Sequence, residues 1–597
     1  VDLFPTPSTG FAMPVSQPAL TAPGVYIQEV PVKQRTSSGV TTATTAFLGR
    51  TTEGPTNTPT LISEFADFVT LFGGLRADSP MTYAVQDFFL NGGKSAIIIR
   101  LFDGDAAAST ATVRMNESSP HANSAEAASA AQAGLEKAKA ALTAATKAHS
   151  KAKGNESDLS GAALRSARSK TAAATKELNA SRVVVEEYEG ILSRAQGSFE
   201  LNLVAASAGT WGNRVTYMVD TSGINDAVQN RFATQSWDAA DLFNLTLIRA
   251  LPRGRSVREQ YSNVSMNPNA GMRSLRHMLA TQSKLARLAS SATDIEGADS
   301  DNLCVGTYED GLKILSRVDL FNILCIPPDE RDGDTDSSVY ASAWAMCSGR
   351  RAMLIVDPPS AWHDDVGAIT SANFLADVGI SAASESARHA VVYFPRIVRP
   401  DPLHGNYPMT GPACGAVAGI YARTDANSGV WQAPAGLASG IAGATDLSYN
   451  LSDAESGSLN AQGINGIRSF VGTGPVLWGT RTMRGADQLA DEYKYLTIRR
   501  LADYMEEYLL RNTKYAVFQN NNTGLWTSLT ATVEGFMRSL AARGAFAGGS
   551  YFVRCDSSTT SQEDIDKGVV NMVIGYAPLK PAEFVVLYLQ QSAGAVE

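Results

Sequence analysis

Asp357 closes an apolar run, and His363, Asp364 and Asp365 follow it in the loop DPPSAWHDD. A carboxylate at the carboxyl end of a strand, with an imidazole and more carboxylates nearby, is a set that could hold a divalent ion and activate water. The loop has no H-E-x-x-H and no second histidine at ligand spacing, so a polar loop capping a strand explains it equally. The segment NGGKS offers Gly93, Lys94 and Ser95 as the end of a phosphate loop. The glycine that such a loop needs earlier is Phe88, and the lysine follows a helix and precedes a strand, the reverse of phosphate binding at a helix N-terminus. In VGTGPVLWG, Gly472 and Gly474 are followed by Leu477 where a dinucleotide loop requires its third glycine, which leaves a turn between strands. The histidines at 121, 149, 277, 363, 389 and 404 are scattered, and no G-x-S-x-G elbow is present. No catalytic, cofactor-binding or metal residue is assigned; the alternative kept is a cytosolic α/β metal-assisted hydrolase on the Asp357 and His363 loop.

The chain around these motifs has 597 residues, 44% of them hydrophobic and 18% charged, with a formal charge of −9. That length exceeds one core, and the acidic balance argues against direct nucleic-acid binding. Cysteines 304, 325, 347, 414 and 555 are far apart and read as core residues in a reducing compartment. No signal peptide and no apolar run of membrane-spanning length is legible. The expectation is a protein assembled in the cytoplasm without membrane insertion.

Composition then divides the chain. Prolines 5, 7, 14 and 18 mark an extended arm, and APGVYIQEVP holds a Pro-bounded strand over 24–30. From Thr42 the pattern runs strand (TAFLGRT), helix (SEFADFVTLFG, opened by Ser63), helix (MTYAVQDFFLNGG), buried strand (SAIIIRLF), an α/β beginning. Residues 117–197 turn Ala-, Ser-, Lys- and Glu-rich with a break at GNES, which predicts a helical hairpin with Ala131, Leu135, Ala138 and Leu142 facing Leu164, Ala167 and Leu178, the weak small-residue seam leaving a partly disordered surface insert as the alternative. Strands resume with FELNLVA, NRVTYMVD and LFNLTLIRA. Strands VDLFNILCIPP, RAMLIVDPP and HAVVYFPRIV then alternate with helices VYASAWAMCSGR and NFLADVGI in a doubly wound pattern. Residues 401–485 read as a long Gly-, Pro- and Asn-rich loop. The last part predicts a helix over 487–511, a strand KYAVFQN, a helix with the stripe Leu525, Leu529, Val533, Phe536 and Leu540, and strands SYFVRCD, VVNMVIGYAP and EFVVLYLQQ. The final strand is apolar on both faces, which places it inside a covered sheet.

The blocks GPACGAVAGIYARTDANSGVWQAPAG, LNAQGINGIRSFVGTGPVLWGTRTM, YLTIRRLADYMEEYL and DIDKGVVNMVIGYAPLKPAEFVVLYLQQ, with APGVYIQEVP and FLGRTTEGPTNTPTLISEFADFVTLFGG at the front, resemble the contractile tail sheath family of phage tails and phage tail-like injection systems. The resemblance implies a mixed α/β fold, with an inner sheath domain built from both chain ends, inserted middle domains facing outward, and here a hairpin insertion outside the basic family pattern. The division it implies is an extended arm over 1–22, the N-terminal part of the sheath domains over 23–115 and the hairpin over 116–198. A middle α/β domain over 199–400, a connecting region over 401–484, a C-terminal inner domain over 485–581 and an exchanged strand arm over 582–597 complete it. It further implies a non-enzymatic, cofactor-free subunit of stacked, typically hexameric, rings around an inner tube protein, with baseplate and tail terminator or cap proteins as further partners, in a virion or an injection particle. The strand arms map to Val25, Tyr26, Ile27, Gln28, Glu29 and Val30 and to Phe584, Val585, Val586, Leu587, Tyr588 and Leu589. Part of the charged face of the helix over 487–511, with Asp491, Glu492, Lys494, Arg500 and Glu507, is expected against the tube, the alternative being a solvated helix face.

Overall fold

The computed structural model describes residues 40–115, 125–154, 161–195, 201–234, 237, 239, 241–251, 255–289, 294–363 and 377–586. The expected strand over 24–30, the C-terminal arm from Leu587, Asp364, Asp365 and the first half of the NFLADVGI helix (373–376) lie outside the described residues.

Strands β1 (Thr45–Gly49), β2 (Thr60–Ile62) and β3 (Ala96–Arg100) begin the main sheet, with helices α1 (Phe65–Phe72) and α2 (Pro80–Leu90) between the second and third. Every residue of β1 and β3 is buried, as expected for parallel strands covered on both faces. Helix α1 is opened by a reciprocal capping box of Glu64 and Asp67 and not by Ser63, whose N–H donates to the Asp67 carboxylate at 3.0 Å. Two carboxylates satisfying the free N–H groups of the first turn outcompete one hydroxyl.

The chain next builds a separate sheet from β4 (Thr112–Met115), β5 (Leu203–Ala205), β6 (Val215–Asp220), β7 (Phe243–Ala250), β8 (Ser256–Val264) and β9 (Ala286–Leu288), in the order β8-β7-β6-β4-β5-β9. Helices α3 (Ala125–Gly154) and α4 (Gly161–Ala195) stand between β4 and β5, which pair antiparallel with Thr112 opposite Val204. The hairpin therefore enters and leaves through adjacent strands. Leu135, Ala138, Ala145, Ala167, Leu178 and Val185 are buried in its seam and Leu142 half-buried; the side chains of Ala131 and Leu164 lie outside the described residues. Two short helices, α5 (Asp226–Phe232) and α6 (Leu275–Gln282), complete this part.

Helix α7 (Val305–Leu315) leads back to the main sheet, which gains β10 (Ile323–Cys325), α8 (Ser337–Arg350), β11 (Met353–Val356) and β12 (Ala390–Phe394). A small antiparallel sheet of β13 (Ile397–Asp401), β14 (Tyr407–Gly411) and β15 (Asp446–Leu447) follows, with helix α9 (Cys414–Asn427) between its last two strands. Helix α10 (Asp453–Ala461) and the hairpin β16 (Asn465–Phe470) and β17 (Gly474–Trp478) close the main sheet in the order β17-β16-β12-β11-β10-β1-β3-β2, antiparallel only at its two outer pairs. Alternate residues split between two cores: Leu48, Ile99, Leu324 and Leu354 pack with α7 and α8, whereas Phe47, Ile98, Ile323 and Ile355 pack with α1, α2 and α9.

The stretch 401–485 is thus not one long loop. Helix α9 is buried from Cys414 through Ala422, and its small residues let it approach α2 closely. A Cβ on Gly415 would come 2.0 Å from the Ala84 carbonyl oxygen, and one on Gly419 2.4 Å from that of Phe88. The glycines that read as loop composition are a close-packing face.

The C-terminal part consists of α11 (Leu496–Asn512), α12 (Thr523–Ala542), β18 (Phe546–Arg554), α13 (Gln562–Asp566) and β19 (Val573–Pro578). Val533, Phe536 and Leu540 of the α12 stripe meet Leu501, Met505 and Tyr508 of α11, with Leu529 buried and Leu525 half-buried earlier in the stripe. The strand expected at KYAVFQN is a single helical turn at Lys514–Ala516 followed by exposed Val517 and Phe518, because the segment only links two packed helices and has no strand beside it among the described residues.

Candidate functional site

Helix α11 begins at Leu496, so Asp491, Glu492 and Lys494 precede it and share no helix face with Arg500 and Glu507. Most of these charges turn inward. Asp491 receives both Arg388 (Nη2–Oδ2 2.9 Å) and Arg484 (Nε–Oδ2 2.5 Å), and its carboxyl side chain is 3% exposed. Arg500 donates to both oxygens of Asp425, at 2.7 and 2.9 Å, with both side chains fully enclosed, and to the Thr42 carbonyl at 3.0 Å. Glu507 is gripped by Arg351 at 2.7 and 3.0 Å and by Arg511 at 2.6 Å. Lys494 pairs with Asp487 at 2.5 Å, and Glu492 alone of the five is exposed. The single helix face expected over these five residues is therefore corrected: Asp491, Arg500 and Glu507 form a seam that joins α11 and the segment before it to the main-sheet part of the chain.

Further pairs extend that seam. Asp503 lies 3.1 Å from His389 Nε2 and pairs with Arg499 of its own helix, and Arg511 reaches Asp319 at 2.8 Å. Burial raises the carboxyl pKa of Asp491 and of Glu507, but the guanidinium groups around each outweigh it and leave both below the usual carboxylate range. Breaking one partner of a buried pair strands the other charge, so the seam holds its two sides in register more strictly than apolar contact would.

The last member of the seam sits where the chain leaves it. Arg481 is 1% exposed, and its guanidinium clamps Glu583 through two parallel bonds, Nε–Oε1 at 2.8 Å and Nη2–Oε2 at 2.6 Å. Its third nitrogen donates to the Asn460 carbonyl at 2.6 Å and to Asp487 at 3.1 Å, and the Tyr495 hydroxyl donates to Glu583 at 3.3 Å. Burial pushes the Glu583 carboxyl up and Arg481 pulls it further down, for a net shift downward. Directly after this clamp come Phe584, Val585 and Val586, exposed to 76, 79 and 68% and in no strand among the described residues. A greasy segment leaves the fold at a fixed point without entering a sheet there.

Nearby, β18 and β19 form a sheet of only two strands, with Phe552 and Val573 about half exposed. Two strands alone are marginal in water, and each presents an outer ladder without a partner strand among the described residues. Sequence reasoning missed Arg481 and Glu583 as the clamp at the start of this segment, and Asp425 as the partner of Arg500. The signal available was Glu583 itself, a lone carboxylate abutting an otherwise apolar run.

The residues considered for chemistry are occupied otherwise. Asp357 is buried, and its Oδ1 accepts from the backbone N–H of Ala413 (2.9 Å) and Cys414 (3.0 Å), so it caps the N-terminal end of α9. Burial holds its carboxyl above the ordinary value despite those donors. His363 faces Ser448 Oγ at 3.4 Å and the Phe394 ring. Among the described residues no group of three or more His, Cys, Asp and Glu side chains is placed to hold a metal ion, and no helix is long and apolar enough to cross a membrane. Lys94 lies between α2 and β3, in a connection that starts a strand. Cys325, Cys347, Cys414 and Cys555 are buried; Cys304 is exposed, against the expectation of five core cysteines, because it precedes the first turn of α7 at the surface.

Residues 306–483 match the family described as phage tail sheath protein central domain, and residues 490–592 the phage tail sheath C-terminal domain. The tail sheath protein of Vibrio phage KVP40 is 30% identical over 177 residues, 30% of this chain and 26% of that protein. The tail sheath protein of Enterobacteria phage T4 is 24% identical over 259 residues, 42% of this chain and 37% of that protein. The aligned stretches thus span about a quarter to little more than a third of those relatives. In fold, the chain is similar to a chain of the anti-feeding prophage baseplate in contracted state (TM-score 0.52, 17% identity, 96% of this chain and 98% of that one) and to the sheath tail protein of Listeria innocua (TM-score 0.50, 9% identity, 91% and 96%).

Proposed function

This chain belongs to the contractile tail sheath family, and from that premise we propose that it is a structural subunit that polymerises as stacked, hexameric rings around an inner tube and contracts to drive the tube through a target envelope. One observation carries this reading. An apolar segment leaves the fold at a clamped carboxylate, largely exposed, while a two-stranded sheet in the same chain has no further partner strand among the described residues. Adding the C-terminal arm of one copy and the N-terminal arm of another to that sheet in a third would bury the segment and satisfy both ladders. An arm of seven to nine residues spans about 25 Å and contributes roughly 1 kcal/mol for each ladder bond and about 1.5 to 3 kcal/mol for each buried large side chain.

The seam gives contraction its rigid body. Pairs Asp491–Arg388, Arg500–Asp425, Glu507–Arg351 and Glu583–Arg481 lock the 490–592 part onto the 306–483 part, so movement between copies falls on the arms. Contraction is then a passage between two packings of the same bodies, with no nucleotide in the cycle. On this reading the 485–581 part is the inner domain, the inserted parts face outward, and tube, baseplate and terminator proteins are the partners in a virion or injection particle. The hydrolase alternative has no observation in its favour, since Asp357 caps a helix.

Electron microscopy of the purified chain tests the proposal: hollow cylinders are expected. Removal of residues 582–597 should leave a folded chain that forms none. Cylinders of undiminished length from the truncated chain would overturn strand exchange.

A further inference from the structure

The hairpin of α3 and α4 is split in charge. Residues 137–176 hold nine lysines and arginines against Glu156 and Asp158, a formal +7 in a chain that totals −9, so everything outside this stretch sums to −16. Lys147, Lys151, Lys153, Arg168, Lys170 and Lys176 are exposed and, among the described residues, take part in no ion pair. Closer to the body, Lys139 pairs with Glu189 at 3.6 Å, and Tyr188 packs the hairpin onto the core of the six-stranded part, with Gly134 making room for its ring. Helix α3 alone, at 30 residues, is about 45 Å long, several screening lengths at physiological salt, so the outer charges act apart from the body that carries them.

The opposite charge is concentrated elsewhere. Residues 294–336 hold twelve carboxylates and three basic side chains. Part of the stretch gathers around Asp103 and Asp329: the backbone of Asp301 pairs with that of Asp103, Cys304 N–H donates to Asp103 at 3.0 Å, Leu303 N–H to Asp329 at 2.8 Å and the Asn302 amide to Glu330 at 2.5 Å. Asp294, Asp299, Asp310, Asp319, Asp329 and Asp334 are paired with Arg114, Arg76, Lys313, Arg511, Arg50 and Arg396 of the same chain. Glu296, Glu309, Glu330 and Asp332 are exposed and, among the described residues, take part in no ion pair, so they carry the charge this stretch offers outward. Among the described residues no ion pair joins this face to the outer hairpin of the same chain.

We infer that the basic outer hairpin docks on the acidic 294–336 face of a second copy of this chain. The inference rests on the sheath reading, in which copies that each carry a large negative charge must pack side by side. A basic arm laid across the neighbour offsets that repulsion. The outer hairpin shows no exposed aromatic or large apolar side chain among its described residues, so it has neither stacking platforms for nucleic-acid bases nor anchors for a lipid surface. Lysine predominates, which suits long-range attraction over bidentate recognition.

The test is a charge swap in the full chain. K147E/K151E/K153E/K170E changes only exposed side chains and should leave the melting curve unchanged while raising the concentration needed for cylinder assembly about tenfold at low salt. Adding E296K/E309K/E330K/D332K to the same chain should restore assembly, and raising salt from about 0.1 to 1 M, which shortens the screening length from about 10 to about 3 Å, should abolish the difference. Assembly of the hairpin variant equal to wild type at every salt overturns the inference, as does loss without rescue. Equal assembly with lost retention on vesicles of anionic lipid overturns it in favour of a membrane surface. If the native chain gives no cylinders, the sheath reading fails separately, and the swap is read instead as salt-sensitive self-association by sedimentation.

Discussion

Arg500 and Asp425 show what a single charge does inside this protein. Both are enclosed, and the guanidinium fork matches the carboxylate edge to edge. Asp425→Ala leaves Arg500 buried without its counter-ion, and a loss of about 3 to 5 kcal/mol in urea unfolding is expected, against less than 1 kcal/mol for Glu492→Ala at the surface. Glu583 makes a pH prediction. Its folded pKa lies below the unfolded 4.5, so the clamp's contribution is fully present above that value and is lost as pH falls through the folded one. Glu583→Gln should speed proteolysis of the C-terminal arm several-fold in the unassembled chain at neutral pH. The difference from wild type should vanish well below pH 4.5. No difference at neutral pH would mean that the clamp does not hold the arm.

Between elements, the decisive contact is α9 against α2. Helix α9 carries glycine where its backbone meets that of α2, and the capping carboxylate of Asp357 fixes its start. Gly415→Ala drives a methyl group into the Ala84 carbonyl, a contact neither backbone can relieve locally, and about 1 to 3 kcal/mol of destabilisation is expected, read from the denaturation midpoint. A surface glycine with open space around it, Gly457 in α10, gives the control: Gly457→Ala should be neutral or slightly stabilising. Composition alone could not separate these cases. Gly, Ala and Cys in GPACGAVAGIYAR signal a loop or a tightly packed helix, and only the identity of the neighbour chooses between them.

For the whole molecule, the proposed strand exchange, in which the arm of one copy joins the sheet of another, implies asymmetric behaviour in mixtures. A chain lacking 582–597 keeps β18 and β19 but donates no C-terminal strand, so added to wild type it should shorten cylinders in proportion to its fraction, as measured by length distributions in micrographs. The sequence by itself determined the mixed α/β class, the buried strands such as SAIIIRLF, the hairpin insertion and the absence of a complete phosphate or dinucleotide loop, because these depend on local periodicity and on spacing within one segment. Tertiary structure decided where the charges of 491–507 point, that 401–485 contains a buried helix, and that Arg481 grips Glu583. Each of those depends on a partner about a hundred residues away or on the other side of a sheet, and a side chain's charge does not carry in sequence the address of the group that neutralises it.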